Sequence, residues 1–173
     1  MGKTRTTKQS QLGGHVDFSR LVPVEKISGD SKEDTRLLRK MATEAREYLL
    51  SFKWCKKVCR AWFGWGVGGV CAVFLFEIEP DSEKVDRLLW VIVGDLPPAY
   101  LVTDASPTPL TALHNYADLM QGWVDAVRRG RPVDDCIPVN APATLQYADL
   151  LRGRLDFIRK EFLSPHKESQ KQK

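Results

Sequence analysis

The chain has 173 residues, of which 43% are hydrophobic and 28% charged, and a formal net charge of +4. These values are typical of a globular protein with one core and argue against a disordered, fibrous or disulfide-dense class. The longest apolar run, residues 67–78, is interrupted by glycines and is shorter than the roughly 20 residues that a membrane-spanning helix needs. Since the first twenty residues contain no apolar stretch of the secretory kind, we expect a cytoplasmic protein that does not associate with a membrane.

The positive charge is concentrated at the two ends of the sequence. Residues 1–32 carry a net +3 and residues 164–173 a net +2, which leaves −1 for residues 33–163. We interpret the ends as flexible basic tails that flank a single domain over residues 33–163. Because a nucleic-acid-binding domain concentrates lysine and arginine on a folded face, binding to RNA or DNA is expected only through the tails. Solvated ends that aid solubility are the simpler interpretation of that charge.

The first predicted element is an amphipathic helix over residues 34–52, whose apolar residues recur at steps of three and four. Ser31 or Asp30 can cap its start. Residues 55–63 are ambiguous between helix and strand, but the glycine-rich run that follows, residues 64–69, favours a β-hairpin.

Three further segments predict strands. Residues 70–78 are apolar on both faces, which places this strand at the centre of a sheet that is covered on both sides. Residues 87–93 are rich in β-branched and aromatic residues and predict the next strand. After a turn that contains Pro97 and Pro98, residues 99–103 predict a short strand at an edge.

Two helices complete the pattern. A hydroxyl cap and a proline within residues 106–109 begin the first of them, and Gly130 and Pro132 end it. The last helix covers residues 144–163. The whole order predicts an α+β fold, in which an N-terminal helix and two C-terminal helices pack on a mostly antiparallel sheet of three to four strands.

The four cysteines lie in predicted helices or strands rather than in loops that need a disulfide for stability, so we expect reduced thiols. Cys55 and Cys59 have the spacing of two metal ligands on one helical face, but no second ligand pair lies near them in the sequence. Small buried side chains are the simpler interpretation, and we predict no metal site. The four residues are Cys55, Cys59, Cys71 and Cys136.

Residues 64–69 also match the letters of the dinucleotide-binding pattern G-x-G-x-x-G. That pattern works by ending a strand and opening a helix whose N-terminus receives the pyrophosphate, whereas here a strand is expected to follow. A kinase-type phosphate loop allows strands on both sides, but the next strand has no lysine, and no HRD or DFG sequence follows. We therefore predict a structural hairpin and no cofactor.

Four polar residues are candidates for catalysis. His114 and Asp118 lie one helical turn apart, as a general base and its orienting group would, although a lone histidine beside an apolar stripe is usually a hydrogen-bonded boundary residue. Asp95 and Asp104 flank the short edge strand and can meet at one end of the sheet as paired carboxylates, although turn formation explains them as well. These residues support an alternative function, a small hydrolase or transferase centred on His114.

Aromatic residues supply the principal functional hypothesis. Trp65, at the expected hairpin tip, has no evident core to enter, and an exposed aromatic on a turn is a common binding anchor. The predicted contact surface consists of Trp65 with Trp62, Tyr100 and Asp95. We therefore predict a non-enzymatic interaction module, that is, an accessory, immunity-like or regulatory protein whose partner is another protein.

The run GVGGVCAVFLFEI, the run LLWVIVGDLPPAYLVTD and the two helices after them resemble a family of small bacterial α+β proteins. The resemblance spans residues 54–163 and consists of glycines, prolines and core positions. It implies the fold and a bacterial origin, and it implies no catalytic or binding residue.

Overall fold

The computed structural model describes residues 15–164, which form an antiparallel sheet and three α-helices. The strands are β1 (Val22–Pro23), β2 (Cys55–Val67), β3 (Cys71–Pro80), β4 (Leu88–Gly94) and β5 (Ala99–Val102). The helices are α1 (Lys32–Leu50), α2 (Pro109–Arg128) and α3 (Leu145–Phe162). Neighbouring strands in the sheet are also neighbours in the chain, in the order β1-β2-β3-β4-β5. The predicted α+β class is confirmed, but the sheet has five strands rather than three or four.

β3 lies at the centre of the sheet, and its alternating side chains fill two separate cores. Val73 and Leu75 pack with buried residues of α2 and α3. Phe74 and Phe76 pack with buried residues of α1. The fold therefore has three layers, with α1 on one face of the sheet and α2 and α3 on the other, which is why β3 is apolar at every position from 71 to 76.

The helices begin at the caps that the sequence signals, although α1 ends at Leu50 rather than at residue 52. Ser31 caps α1, because its Oγ accepts a hydrogen bond from the backbone N–H of Asp34 at 3.0 Å. Thr108 caps α2 in the same way, and Pro109 is the first helical residue. Gly130 follows α2 with a φ of 64°, a conformation that glycine adopts without strain.

The ambiguous residues 55–63 belong to β2, and a strand follows the glycine-rich run, so the predicted hairpin is confirmed. Its turn is shorter than expected. Residues 68–70 form the turn, whereas Gly64 and Gly66 lie inside β2. In the described chain, no helix is both long and apolar enough to cross a membrane.

The segment before α1 contributes the fifth strand. Residues 15–31 belong to the predicted basic tail, residues 1–32, but Val16 and Ile27 are buried, and the backbone N–H of Asp17 donates to the carbonyl of Pro107 at 2.9 Å. This part of the expected tail packs against the domain. β1 has only two residues, one of them a proline, so the sequence shows no alternation of apolar residues that would predict this strand. The rest of the predicted tails, residues 1–14 and 165–173, lies outside the described residues.

Candidate functional site

His114 and Asp118 form an exposed pair on the outer side of α2. The His114 Nδ1 lies 3.4 Å from Asp118 Oδ2, and both side chains are more than half exposed. Arg159 of α3 donates to the other carboxylate oxygen, Oδ1, at 3.3 Å. The pair therefore ties two helices together at the surface, and it lines neither of the two hollows described below.

The structure does not bring Asp95 and Asp104 together. Asp95 follows β4 at the end where Ile92 pairs with Ala99, whereas Asp104 follows β5 at the other end of the same ladder, where Leu89 pairs with Val102. Three residues of extended strand separate these ends by about 10 Å. The expectation that the two carboxylates meet at one end of the sheet is therefore wrong, because residues that flank one strand lie at its opposite ends. Asp95 is paired instead with Arg154 of α3, at 3.2 Å.

The cysteines offer no activated thiol in the cores. All four lack a disulfide partner, and Cys55 and Cys71 are buried while Cys59 is exposed. Burial raises the pKa of the Cys71 thiol to about 12, so it stays protonated and unreactive at neutral pH. Within residues 15–164, no three His, Cys, Asp or Glu side chains gather as the ligands of a metal ion would.

The glycine turn binds the protein's own side chains through its backbone donors. The N–H of Gly68 donates to Asp34 Oδ1 at 2.7 Å, and the N–H of Gly69 points to the sulfur of Met41 at 3.3 Å. A phosphate cradle needs such N–H groups free to face its ligand. Here a carboxylate of α1 occupies the position that an anion would take, which supports the structural interpretation of the glycines.

Trp62 and Trp65 lie on the same side of β2 and face α2 and α3. They are three residues apart, so a regular strand would point them to opposite faces. A β-bulge at Gly64 places one extra residue between Phe63 and Trp65 and reverses the alternation. Both rings are partly buried against the core, and Trp65 packs on Phe162 with 4.8 Å between ring centroids. The expectation that Trp65 stands at the hairpin tip with no core to enter is wrong for this reason.

Tyr100 lies on the opposite face of the sheet from the two tryptophans. It pairs with Val91, which packs on the α1 side, and its ring contacts Phe52 and Trp54 at centroid distances of 5.3 and 5.0 Å. Tyr48 completes this aromatic cluster. Trp62, Trp65 and Tyr100 therefore do not form one contact surface, since the sheet separates them.

An apolar groove runs along α3, beside the loop that follows β4. A hollow of about 480 Å³ lies between α3, the β2–β3 turn and Asp95, and a second hollow of about 220 Å³ adjoins it towards Trp123. Both are lined by Leu96, Leu150 and Arg154. We call the two hollows together the α3 groove; its principal residues are Leu96, Tyr147, Leu150, Gly153, Arg154 and Phe157.

Exposed apolar side chains of α3 line this groove. Tyr147, Leu150 and Phe157 are each close to half exposed, and they follow one another along the helix at steps of three and seven residues. The adjacent stripe of the same helix is already buried in the core; its members are Ala148, Leu151, Leu155 and Ile158. The apolar part of α3 is therefore wider than the core requires, which is the signal in the sequence that could have identified these three residues.

Fixed contacts hold the other wall of the groove. The buried Tyr116 donates its hydroxyl to the carbonyl of Pro97 at 2.6 Å, and burial raises the pKa of this tyrosine well above its ordinary value, so it remains a donor. Arg154 joins Asp95 across the boundary between the two hollows. The Tyr116 hydroxyl thus fixes the loop on α2, and an exposed ion pair joins the loop to α3.

Comparisons with known proteins identify no relative, so the assignment of a function rests on the geometry described above. No family model, curated protein or solved structure matches the chain.

Proposed function

We propose that this protein is a non-enzymatic interaction module that binds another protein in the α3 groove. The observation that carries the proposal is the row of exposed apolar side chains formed by Tyr147, Leu150 and Phe157 beside a concave surface. Contiguous exposed apolar residues with a charged rim are typical of protein-binding sites. Of the contact surface expected from the sequence, the proposal retains Asp95 and the loop after it. It replaces Trp62, Trp65 and Tyr100 with α3.

The chemistry of the groove favours a protein over other ligand classes. Its charged side chains are already paired, Asp95 with Arg154 and Asp149 with Arg128, so it has no excess of positive charge for a phosphate backbone. The hollows are open to solvent, whereas a small-molecule site encloses most of its ligand. Apolar side chains of a partner can be buried there without leaving a charge unpaired.

The length of the groove indicates the shape of the partner segment. Tyr147 and Phe157 are ten residues apart on α3, which corresponds to a rise of about 15 Å. About three turns of a partner helix span that distance. We therefore expect the bound segment to be an amphipathic helix that presents apolar residues at helical spacing.

Leu150→Asp tests the proposal, with Leu119→Asp as its matched control. Leu150 is 50% exposed, and Leu119, on α2 and outside the groove, is 45% exposed, so each substitution places a carboxylate at a similarly accessible position. We expect the tagged wild-type chain to capture a partner from its native cells. In calorimetry with that purified partner, Leu150→Asp should raise the Kd by at least about tenfold, because a carboxylate is then desolvated in an apolar contact.

The control separates interface from folding. Leu119→Asp should keep the wild-type Kd, and circular dichroism should show the same helix content for both variants. If a folded Leu150→Asp chain binds the partner with wild-type affinity, the α3 groove is not the interface and the proposal fails.

A further inference from the structure

The outer edge of β5 presents unpaired backbone groups, and the hydrogen bonds of β4 show which ones. At the two ends of the β3–β4 ladder, Ile78 donates to the carbonyl of Arg87 at 2.8 Å, and Asp95 donates to the carbonyl of Val70 at 2.9 Å. Hydrogen-bonded pairs alternate along a regular antiparallel ladder, and this one has no bulge. The odd-numbered residues of β4 therefore bond to β3, and the even-numbered residues bond to β5.

The same alternation continues into β5. Its pairs with even-numbered residues of β4 are Leu101 with Trp90 and Ala99 with Ile92. Tyr100 and Val102 therefore direct their N–H and C=O groups away from the sheet. Among residues 15–164, no other backbone group hydrogen bonds to these four groups.

The opposite edge of the sheet is protected against pairing with another strand, and the edge at β5 is not. β2 pairs with β1 only at Trp62 and Phe63, so residues 55–61 of β2 form most of that edge. Two bulges interrupt them, and they carry exposed Lys56, Lys57 and Arg60. Bulges and charges of this kind prevent strands from pairing edge to edge. β5, with the sequence AYLV, has neither.

We propose that β5 pairs antiparallel with β5 of a second copy of this chain, about a two-fold axis at Leu101. Tyr100 then lies opposite Val102 of the second copy, and the two residues exchange both backbone hydrogen bonds. The symmetry repeats this pair, so the contact has four hydrogen bonds and joins two five-stranded sheets into one of ten strands.

The side chains of β5 favour a second copy over a foreign strand. Tyr100 is 37% exposed and Val102 is 46% exposed, on the same face of the sheet. In the two-fold arrangement each covers the other, and an aromatic residue opposite a β-branched one is a favourable cross-strand pair. The same register places Asp104 opposite Pro98 of the second copy, so no like charges meet. The aromatic cluster of Tyr100 with Phe52 and Trp54 extends this apolar surface.

Sedimentation equilibrium of the full chain, with Val102→Pro and Val102→Thr as a matched pair, tests the proposal. The wild-type mass should rise with concentration from 19.6 kDa towards twice that value. Proline removes the outward N–H of residue 102 and leaves the β4–β5 bonds intact, so Val102→Pro should raise the dimer Kd by roughly tenfold or more. Val102→Thr keeps both the shape and the N–H and should dimerise as the wild type does. A wild-type chain that remains monomeric up to about 1 mM overturns the proposal.

A cross-link provides a second measurement that does not depend on the proline variant. Leu101 meets itself at a non-hydrogen-bonded site, where the Cα atoms are about 4.5 Å apart and a disulfide can form. In a chain with Cys59→Ser and Cys136→Ser, Leu101→Cys should form a disulfide-linked dimer under mild oxidation. The same background without Leu101→Cys should stay monomeric on a denaturing gel. A dimer in solution that Leu101→Cys fails to cross-link, or that a folded Val102→Pro chain retains, uses another surface and overturns the proposal.

Discussion

Gly94 shows how strongly single backbone positions constrain this fold. Its φ is +149°, and a Cβ built on it would lie 2.2 Å from the carbonyl oxygen of Val70. The close approach exists because Asp95 donates to that same carbonyl. We expect Gly94→Ala to lower the free energy of unfolding by about 2–4 kcal/mol, since the backbone itself must move. Urea denaturation followed by tryptophan fluorescence measures the change.

Gly153→Ala is the matched control for Gly94→Ala. Gly153 lies in α3 with an ordinary helical backbone, and a Cβ built there meets no atom within 4 Å. The added methyl group should therefore raise the free energy of unfolding by up to about 1 kcal/mol, the difference in helix propensity between alanine and glycine. Equal effects of the two substitutions would contradict the steric explanation.

The tryptophans of β2 show what a sequence cannot specify at this scale. Their aromatic character and their place in a strand are evident from the letters alone. The face to which each one points depends on whether the bulge at Gly64 is counted, and a bulge has no periodic signature. One inserted residue therefore moved Trp65 from an expected surface to a partly buried site against Phe162.

At the scale of elements, the carboxylate of Asp34 connects three parts of the chain. Oδ1 accepts from the N–H of Gly68 at 2.7 Å, and Oδ2 accepts from the N–H of Asp30 at 3.0 Å. Asp34→Ala leaves both donors without this acceptor and should lower the free energy of unfolding by about 1–3 kcal/mol. Thermal and urea unfolding both report this loss.

Glu33→Ala is the control for the charge of the same helical turn. The side chain of Glu33 is 65% exposed and pairs with Arg36 one helical turn further along α1, so its removal changes the charge at the start of α1 and leaves the contact of Asp34 with the β2–β3 turn in place. A clearly smaller effect than that of Asp34→Ala is expected. If Glu33→Ala destabilises the chain as much, the helix dipole rather than the tie to Gly68 explains the stability.

The long elements were predictable because each repeats a physical period. The stripe of α1, the apolar run of β3 and the capped start of α2 follow from side-chain spacing, and their positions agree with the structure. β1 was missed because two residues cannot display a period, and its pairing with Phe63 is a long-range contact. Local signals thus give the elements, and tertiary contacts decide the edges of the sheet.

At the scale of the whole molecule, groups buried in the neutral form predict instability in alkali. The Cys71 thiol has its pKa raised from 9.0 to about 12 and Tyr48 from 10.0 to about 12, in both cases chiefly because burial disfavours the charged form. Above pH 9 the unfolded chain releases these protons while the folded chain keeps them, so stability is full below pH 9 and falls as the pH rises towards 12. Cys71 alone contributes a decline of about 1.4 kcal/mol per pH unit in this range. Urea midpoints measured from pH 7 to 11 test this.

Cys71→Ala isolates the contribution of the thiol. The variant should be less stable than the wild type at pH 7, because it leaves a small void, but its decline above pH 9 should be shallower. Parallel declines of the two chains would show that the pKa of Cys71 is not raised in the folded state.

The candidate site was harder to predict from the sequence than the fold, because it is built from parts that lie far apart in the chain. The sequence shows that α3 carries more apolar residues than one stripe needs, but the groove also requires the loop of residues 95–98, which lies about fifty residues earlier. Leu96 and Leu150 line the same hollow only because α3 packs, with α2, on the face of the sheet opposite α1. Sequence patterns describe single elements, and a site built from two distant elements has no such pattern.

The placement of the helices on opposite faces has a consequence for synthesis on the ribosome. Phe74 and its neighbours can be buried by α1 as soon as residue 102 has emerged. Trp90 and Ile92, on the other face, must wait for residues 112–158. At ordinary translation rates this interval lasts about 3–10 s, during which a broad apolar surface faces solvent or a chaperone. The nascent chain is therefore expected to need protection from aggregation in this interval and to lose that need once α3 has docked.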